Sequence, residues 1–383
     1  MPMSNSEYYL ASNLTTNPFR SQATLEDDPR LAIWAGQERE RALLKKFLAR
    51  SRAEQVGNTN GLLLYGTYGT GKSHALLWGM HWIKSLTDNG SSSAYYVPTL
   101  KKDKGKLTFG AALRDDLVAR TTFVEDVFQY RQFLGRAIRQ YIDEHSLDSD
   151  TSDDVVIERL IPATELLSFA KEIFSLQGDG LRDYLAKDRS DYQAMLLFTR
   201  LVNLFVHEIH FKNSTSRFRQ SVYLMIDELD VLVSASAKEV IEVNELIRHL
   251  YDMCPNCFGL VLALSAELEQ LPTVFTEFVL SRMGRQIAFS PLDRQAAVEF
   301  AVGIMDSEPM RVSREDENLM GAFPFTRQAL EAVLGELSDR TPRKVVNVLQ
   351  QLIEEARLAD LDPRNGPITV ERLDESGVLE DLI

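Results

Sequence analysis

A glycine-rich octapeptide at residues 66–73, GTYGTGKS, constrains the fold of this chain more than any other feature. It matches the pattern G-x-x-x-x-G-K-[ST], and the apolar runs on either side predict a strand at residues 62–65 and a helix at 74–85. Glycines in such a turn let successive backbone N–H groups converge on phosphate oxygens, and the helix adds the positive end of its dipole. The sequence therefore predicts a phosphate-binding loop that follows a buried strand.

Within this loop the side chains have distinct expected roles. Lys72 would reach the β- and γ-phosphates, and Ser73 would bind Mg²⁺. A chance glycine-rich turn is the alternative interpretation, but the strand before the loop and the helix after it are both what the motif requires. We expect a bound nucleotide to contact the loop and the residue after it, which are Gly66, Thr67, Tyr68, Gly69, Thr70, Gly71, Lys72, Ser73 and His74.

A second acidic motif follows another apolar run, at residues 221–232 (SVYLMIDELDVL). A carboxylate at the end of a buried strand is the usual partner of Mg²⁺ in phosphate-loop proteins, which assigns Asp227 to the metal. Glu228 would orient and polarise the attacking water, and a Glu directly after the Asp favours hydrolysis over transfer to another substrate. The alternative is a helix N-terminus whose acids, including Asp230, complement the dipole. The intact phosphate loop upstream favours the metal site.

The remaining patterns predict an α/β fold with a five-stranded parallel sheet, because the apolar runs are continuous rather than alternating. The four further strands are predicted at residues 94–97, 222–226, 259–264 and 286–289. A helical insertion is predicted at about 107–215, and helices at 294–304, 326–337 and 342–358 predict a helical lid. The expected organisation is a flexible N-terminal tail (1–17), a nucleotide-binding core (18–290), the lid (291–376) and a C-terminal tail (377–383).

Composition limits the classes of partner. The chain has 44% hydrophobic residues and a formal net charge of -14, which excludes a protein coated with basic surface but not a local basic stripe. The segment KKDKGK supplies one candidate for contact with DNA, although a solvated lysine loop explains it equally well. The lysines of this candidate DNA-binding loop are Lys101, Lys102, Lys104 and Lys106.

No apolar run has the length of a membrane-spanning helix and no secretory signal is recognisable, so we expect a cytoplasmic protein with no membrane partner.

Together these motifs resemble the AAA+ ATPases. In that family a polar residue after the fourth strand, called sensor 1, lies near the γ-phosphate, and Ser265 stands at that place. The stretch LSRMGRQIAFSPLD (280–293) resembles the one that carries an arginine finger, for which Arg282 is the first candidate and Arg285 the alternate. DRTPRKVVNVLQQLIEEA (339–356) resembles the lid helix, with Arg343 in the place of the nucleotide-facing arginine called sensor 2.

The resemblance extends to a pair of residues that precede Gly36. Ile33 and Trp34 stand where the family often contacts the adenine base, and an aromatic ring could stack on it; packing in the core explains them equally well. Within AAA+, the motifs DELD, NPF…GQERE and PRKVVNVL resemble initiators, helicase loaders and transposition-regulator ATPases. The chain departs from them at Gln37, where an arginine is common, in its long insertion, and in ending without a winged-helix domain.

The resemblance implies ATP and Mg²⁺ as ligands and a homo-oligomeric ring, arc or filament, because the arginine finger usually comes from the neighbouring subunit. Two functions stay open. The first is a regulator that controls or loads a partner on DNA, in replication, transposition or defence against mobile elements. The second is an ATP-gated switch that controls a separate protein effector with little direct contact to DNA.

Overall fold

The computed structural model describes residues 3–19, 28–52, 60–86, 91–103, 105–148, 150–254 and 257–382. A π-helix (Leu113–Val118) directly follows the short α-helix Phe109–Ala112. The elements in chain order are α1 (Asn5–Ala11), α2 (Glu38–Ser51), β1 (Asn60–Gly66), α3 (Lys72–Ser85), β2 (Ser92–Val97), β3 (Lys101–Asp103), β4 (Lys106–Thr108), α4 (Phe109–Ala112), α5 (Phe123–His145), α6 (Asp153–Leu160), α7 (Thr164–Ser175), α8 (Asp179–Ala186), α9 (Asp191–Val206), β5 (Glu208–His210), β6 (Thr215–Arg217), β7 (Ser221–Ile226), α10 (Ala237–Met253), β8 (Phe258–Ser265), α11 (Leu271–Val274), α12 (Glu277–Arg282), β9 (Arg285–Ala288), α13 (Arg294–Met305), α14 (Arg327–Gly335), α15 (Pro342–Leu358), α16 (Val370–Glu375) and α17 (Val378–Leu382).

The main sheet has five parallel strands in the order β2-β7-β8-β1-β9, which confirms the predicted fold class and all five predicted strands. Strand β7 is buried along its whole length and β8 along nearly all of it, as continuous apolar strands require. The first strand, β1, lies between β8 and β9, so the winding of the chain changes direction beside it. In open α/β sheets, ligands bind outside the carboxyl ends of the strands at such a switch point.

Across the described residues, the structure contains no helix that is both long enough and apolar enough to span a membrane.

The chain divides into two compact units. The first consists of Met1–Leu43, Gly66–His81 and Ala288–Ile383, and the second consists of Leu44–Tyr65 and Trp82–Ile287. The predicted limits of core and lid stay predictions.

In the first unit, helices α13, α14 and α15 bury a common core, and all three match the predicted lid helices. The predicted flexible tail at residues 1–17 differs from the structure, because α1 packs on this core. Tyr8 is 1% exposed, and the hydroxyl of Tyr9 donates a hydrogen bond to Glu354. Two buried rings offset the entropy cost of ordering the segment. The predicted C-terminal tail likewise forms α17, which buries Val378.

The second unit carries the sheet up to Tyr65 of β1 and Ile287 of β9, together with the insertion helices α4 to α9. The insertion is joined to the sheet by a buried ion pair, in which Arg219 donates to Asp126 at 2.7 Å and Tyr95 donates to the other carboxylate oxygen. The insertion, predicted as almost wholly helical, differs from the prediction near both ends: β4 occupies its start, and a short antiparallel hairpin forms between β5 and β6.

Candidate nucleotide-binding site

The loop between β1 and α3 has a backbone that only glycine adopts readily. Gly66, Gly69 and Gly71 have φ angles of 142°, 81° and 104°. A Cβ atom on Gly66 would lie 2.9 Å from the carbonyl carbon of Phe289 and nearer still to its oxygen, and one on Gly69 would lie 3.1 Å from the Cβ atom of Arg343. The fixed glycines of the motif, Gly66 and Gly71, therefore have a conformational reason, and Gly69, at a variable position of the motif, has one as well.

The ammonium group of Lys72 lies inside this loop. Its Nζ donates hydrogen bonds of 2.9 Å to the carbonyl oxygens of Gly66 and Thr67, and the Thr70 hydroxyl donates to the same Thr67 oxygen at 2.8 Å. Helix α3 begins at Lys72, so its first backbone N–H groups belong to the end of the loop. A positive side chain and a helix N-terminus together form a site suited to an anion.

Gln37 bridges the loop to the residue after β9. Its Nε2 lies 3.3 Å from the Thr70 carbonyl oxygen and 3.2 Å from that of Ser290, and donates to both. This side chain was noted in the sequence only as a departure from the family pattern. The neutral amide therefore supports the loop through two hydrogen bonds to backbone carbonyl groups.

Ile33 and Trp34 pack against the helix that follows the loop. The carbonyl oxygen of Ile33 is 2.8 Å from Nε2 of His74, whose pKa is lowered by burial, so the neutral ring donates this hydrogen bond. The ring of Trp34 meets that of Trp78 edge-on at 4.8 Å, and its Nε1 donates to the carbonyl oxygen of Gly36 at 2.7 Å. These contacts explain the two residues as packing; contact with a base stays a prediction.

Arg343 lies in the first turn of α15, beside the phosphate loop. Its backbone N–H donates to the Gly69 carbonyl oxygen at 3.1 Å, and its guanidinium carbon is 4.2 Å from the centre of the Tyr68 ring. A pocket of about 490 Å³ opens here. It is lined by Thr67, Tyr68, Gly69, Pro291, Asp339, Thr341, Arg343, Lys344 and Asn347. The predicted lid arginine is therefore adjacent to the loop.

The acidic motif follows β7 as predicted. Asp227 is 2% exposed, and its two carboxylate oxygens each accept a hydrogen bond of 2.8 Å, one from the Tyr96 hydroxyl and one from the backbone N–H of Glu228. Glu228 itself is exposed and has the left-handed backbone angles φ 46° and ψ 45°. A non-glycine residue in this conformation is uncommon and is often found at functional sites.

Tyr96 contacts the acidic motif, although no sequence pattern marks it as a site residue. Burial, and then the negative charge of Asp227, raise the pKa of Tyr96, so its hydroxyl stays protonated and donates. The run AYYV indicated only a strand. The signal available was the position of this tyrosine near the end of β2, which the register of β2 and β7 places opposite Met225.

Ser265 ends β8 and is tied to the acidic motif through its backbone. Its N–H donates to a carboxylate oxygen of Asp230, the third acid of DELD. Asp230, which had no assigned role, therefore fixes the end of β8 relative to the turn after β7. The expected contact between the Ser265 side chain and a phosphate stays a prediction.

The two candidate finger arginines have different surroundings. The guanidinium of Arg282 is 3.1 Å from a carboxylate oxygen of Asp252 and lies over the ring of Phe278, 3.2 Å from its centre. Burial, and then the positive charge of Arg50, lower the pKa of Arg285. Among the residues that the structure describes, no carboxylate forms an ion pair with Arg285.

The basic segment after β2 forms the hairpin of β3 and β4 rather than an open loop. Lys101 pairs at 2.8 Å with Asp116, which is 1% exposed, and Lys102 pairs at 3.5 Å with Glu239. Lys106 is exposed. Lys104 lies outside the described residues. Two of the four lysines proposed for contact with DNA therefore already neutralise carboxylates of this chain.

No model of a known protein family matches the sequence, and no curated protein matches it. Similar solved structures include Drosophila ORC bound to DNA, with 13% identity, a TM-score of 0.48 and coverage of 98% of this chain and 67% of that one. The Aeropyrum pernix ORC2 protein has 13% identity, a TM-score of 0.46 and coverage of 93% and 72%. Domain III of the Thermotoga maritima replication initiation protein DnaA has 12% identity, a TM-score of 0.43 and coverage of 93% and 98%. Similarities of this strength assign neither a family nor a function to the chain.

Proposed function

We propose that this chain is a Mg²⁺-dependent ATPase of the AAA+ type that acts as a homo-oligomer. The observation that carries the proposal is the glycine-shaped loop after β1, with the Lys72 ammonium held among its carbonyl groups. The position of β1 at the switch point of the parallel sheet supports it, because ligands of such sheets bind at that edge.

The residues available suit a magnesium nucleotide. Glycines at positions 66 and 69 allow the loop to take positive φ angles and to pack closely against Phe289 and Arg343, and backbone N–H groups in such a loop can converge on phosphate oxygens. Ser73 and Asp227 offer the hydroxyl and carboxylate oxygens that Mg²⁺ prefers. The metal, when bound, would neutralise charge that develops on the phosphate oxygens.

Loss of Lys72 tests nucleotide binding. We expect Lys72→Ala to abolish binding of Mg²⁺-ATP in titration calorimetry, because it removes the cation of the loop. Lys84→Ala is the matched control, since Lys84 is exposed in the last turn of the same helix. Unchanged affinity in Lys72→Ala would refute the proposed site.

Glu228 is assigned to orienting and polarising the attacking water. Its carboxylate follows the buried Asp227 directly, on a backbone held in an uncommon conformation. We expect Glu228→Gln to bind ATP but to hydrolyse it roughly 100-fold or more slowly in single-turnover assays, since positioned acid–base groups contribute about 10²–10⁴-fold. Glu269→Gln, which changes an exposed carboxylate on another turn, should hydrolyse at the wild-type rate. Normal hydrolysis by Glu228→Gln would show that the assignment is wrong.

The neighbouring subunit would contribute an arginine to the phosphates. For Arg282 a phosphate would have to displace the Asp252 carboxylate, whereas Arg285 has no such competitor among the described residues. This difference supports Arg285, rather than Arg282, as the arginine that reaches the phosphates of the neighbouring subunit. Mixing Arg285→Ala with Lys72→Ala should then restore part of the ATPase rate, because each variant supplies what the other lacks. No recovery on mixing, with recovery in the equivalent mixture made with Arg282→Ala, would assign the role to Arg282.

The ATPase cycle would serve either a partner on DNA or a separate protein effector, and one observation favours the effector. Lys101 and Lys102 are engaged with Asp116 and Glu239, which reduces the positive charge that the hairpin could offer to a DNA backbone. ATPase rates with and without double-stranded DNA, at low and high salt, separate the two. Stimulation by DNA together with salt-sensitive binding would support the DNA role, and the absence of both would support the effector.

A further inference from the structure

Tyr68 is an unusual residue for the middle of a phosphate loop. Its side chain is 66% exposed, although it is large and mostly apolar. The face of its ring meets the guanidinium of Arg343, whose central carbon lies 4.2 Å from the ring centre. A cation at this distance from an aromatic face is attracted by the negative charge above the ring. The exposed ring therefore has a specific partner, contributed by the N-terminal turn of α15.

The two neighbouring cations at the start of α15 are held differently. Lys344 forms an ion pair of 2.9 Å with the Asp339 carboxylate. Arg343 has no ion pair with a carboxylate among the described residues, and only its backbone N–H is fixed, by the Gly69 carbonyl oxygen. The side chain of Arg343 is thus the cation in this pocket that an incoming anion can recruit without displacing a carboxylate.

The contact with the ring is weak enough to be exchanged. A cation–aromatic pair at an exposed site is worth about a two- to fivefold change in an equilibrium constant. Charge-assisted hydrogen bonds from arginine to phosphate are stronger and are often bidentate. The pocket of about 490 Å³ that both residues line has the volume of a small-molecule site.

We propose that Tyr68 is a positioning residue, whose ring holds the Arg343 guanidinium at the phosphate loop until the phosphates of a bound nucleotide draw it away. The inference rests on the proposed function and goes beyond it, since it gives Arg343 a defined resting position before nucleotide binds. It has a measurable consequence. The ring competes with the nucleotide for the guanidinium, so Tyr68 weakens the binding of any nucleotide that uses Arg343.

Binding of a non-hydrolysable ATP analogue with Mg²⁺ tests this competition by calorimetry. We expect Tyr68→Leu, which keeps apolar bulk but has no aromatic face, to bind about two- to fivefold more tightly than wild type. Tyr68→Phe keeps the aromatic face and should restore the wild-type Kd. Tyr192→Leu is the control for loss of an exposed tyrosine elsewhere, since Tyr192 is 60% exposed on α9. Unchanged or weaker binding by Tyr68→Leu would overturn the proposal.

The same substitution in an Arg343→Ala background identifies the cause. With no guanidinium to hold, Tyr68→Leu should leave the Kd of Arg343→Ala unchanged. A change of equal size in both backgrounds would mean that the ring contacts the nucleotide directly, which also overturns the proposal. Failure of the wild-type chain to bind the analogue would instead refute the proposed function.

A measurement without nucleotide tests the resting contact by itself. In the wild-type protein labelled with ¹³C-arginine, the aromatic ring should shift the δ-methylene resonance of Arg343 upfield, and the Arg343→Ala spectrum identifies that resonance. Tyr68→Leu should abolish the shift and Tyr68→Phe should keep it. An unshifted resonance in the wild-type protein would show that the ring does not hold the guanidinium.

Discussion

Replacement of the loop glycines by alanine should destabilise the protein to graded extents. At Gly66 an alanine would combine backbone strain, at φ 142°, with a Cβ atom 2.9 Å from the carbonyl carbon of Phe289 and closer to its oxygen. Both neighbours are backbone and cannot rotate away. Strain of about 1–3 kcal/mol and overpacking of about 1–3 kcal/mol give a loss of roughly 4 kcal/mol in the free energy of unfolding.

The other two glycines should cost less, for different reasons. Among the described residues, a Cβ atom on Gly71 would meet the flexible end of Gln37, at 3.5 Å, so backbone strain of about 1–3 kcal/mol dominates the cost. On Gly69 the Cβ atom would be 3.1 Å from that of Arg343, a tight contact that adds a smaller cost to the same strain. The expected order of destabilisation is therefore Gly66, then Gly69, then Gly71.

Urea unfolding followed by circular dichroism measures this order. Gly180→Ala is the matched control, since Gly180 lies in the first turn of α8 with open space where the Cβ atom would be. It should gain about 0.4–1 kcal/mol, because alanine restricts the unfolded chain. If Gly66→Ala unfolded at the same urea concentration as Gly71→Ala, the close approach of Phe289 to the loop would be refuted.

Three further substitutions test contacts around the site. Tyr96→Phe removes a hydrogen bond to a buried carboxylate, that of Asp227, and should lower the free energy of unfolding by about 1.5–3 kcal/mol in urea titrations; no loss would contradict the contact. Burial lowers the pKa of His74 in the folded protein. Just below pH 6.5, the ordinary pKa of histidine, His74 therefore gains a proton in the unfolded chain but stays neutral in the folded one. Stability should be full above pH 6.5 and fall below it, and His74→Gln should flatten that fall in melts recorded from pH 7 to 5. Asp126→Ala leaves the largely covered guanidinium of Arg219, whose side chain is 12% exposed, without its charge partner and should cost about 3 kcal/mol in thermal melts, whereas an equally stable variant would refute the ion pair.

The parts of the fold that the sequence predicted are those set by local demands. A buried parallel strand needs a continuous apolar run, which is why β7 and β8 were predicted within a residue or two of their ends. The loop glycines were predicted because the conformation that they require is local to each residue. The lid helix α15 was predicted over the same residues, since a threonine cap, a proline in the first turn and a strong apolar face all mark it.

The parts that were missed depend on partners that are distant in the sequence. Helix α1 has a capping box formed by Ser4 and Glu7, which is a readable signal, but its stability comes from burying tyrosines against helix α15 at the other end of the chain. Tyr96 received no role because nothing in the sequence shows that the end of β2 faces Asp227. The sequence favoured Arg282 over Arg285 as the arginine finger, and the ion pair of Arg282 with Asp252, which reverses that preference, depends on a residue that no motif marks.

The segment that leaves β2 joins the acidic motif to the helical insertion. Tyr96 donates to Asp227, and the hydroxyl of Thr99 lies 3.5 Å from the carbonyl oxygen of Glu228. A few residues on, Lys101 is bound to Asp116 of the π-helix, a type of helix that often occurs at functional sites. A partner that moved this part of the insertion would therefore act on the segment that contacts the acids. Lys101 of the hairpin contributes to this connection, which favours a protein effector over DNA as the partner of the proposed ATPase cycle.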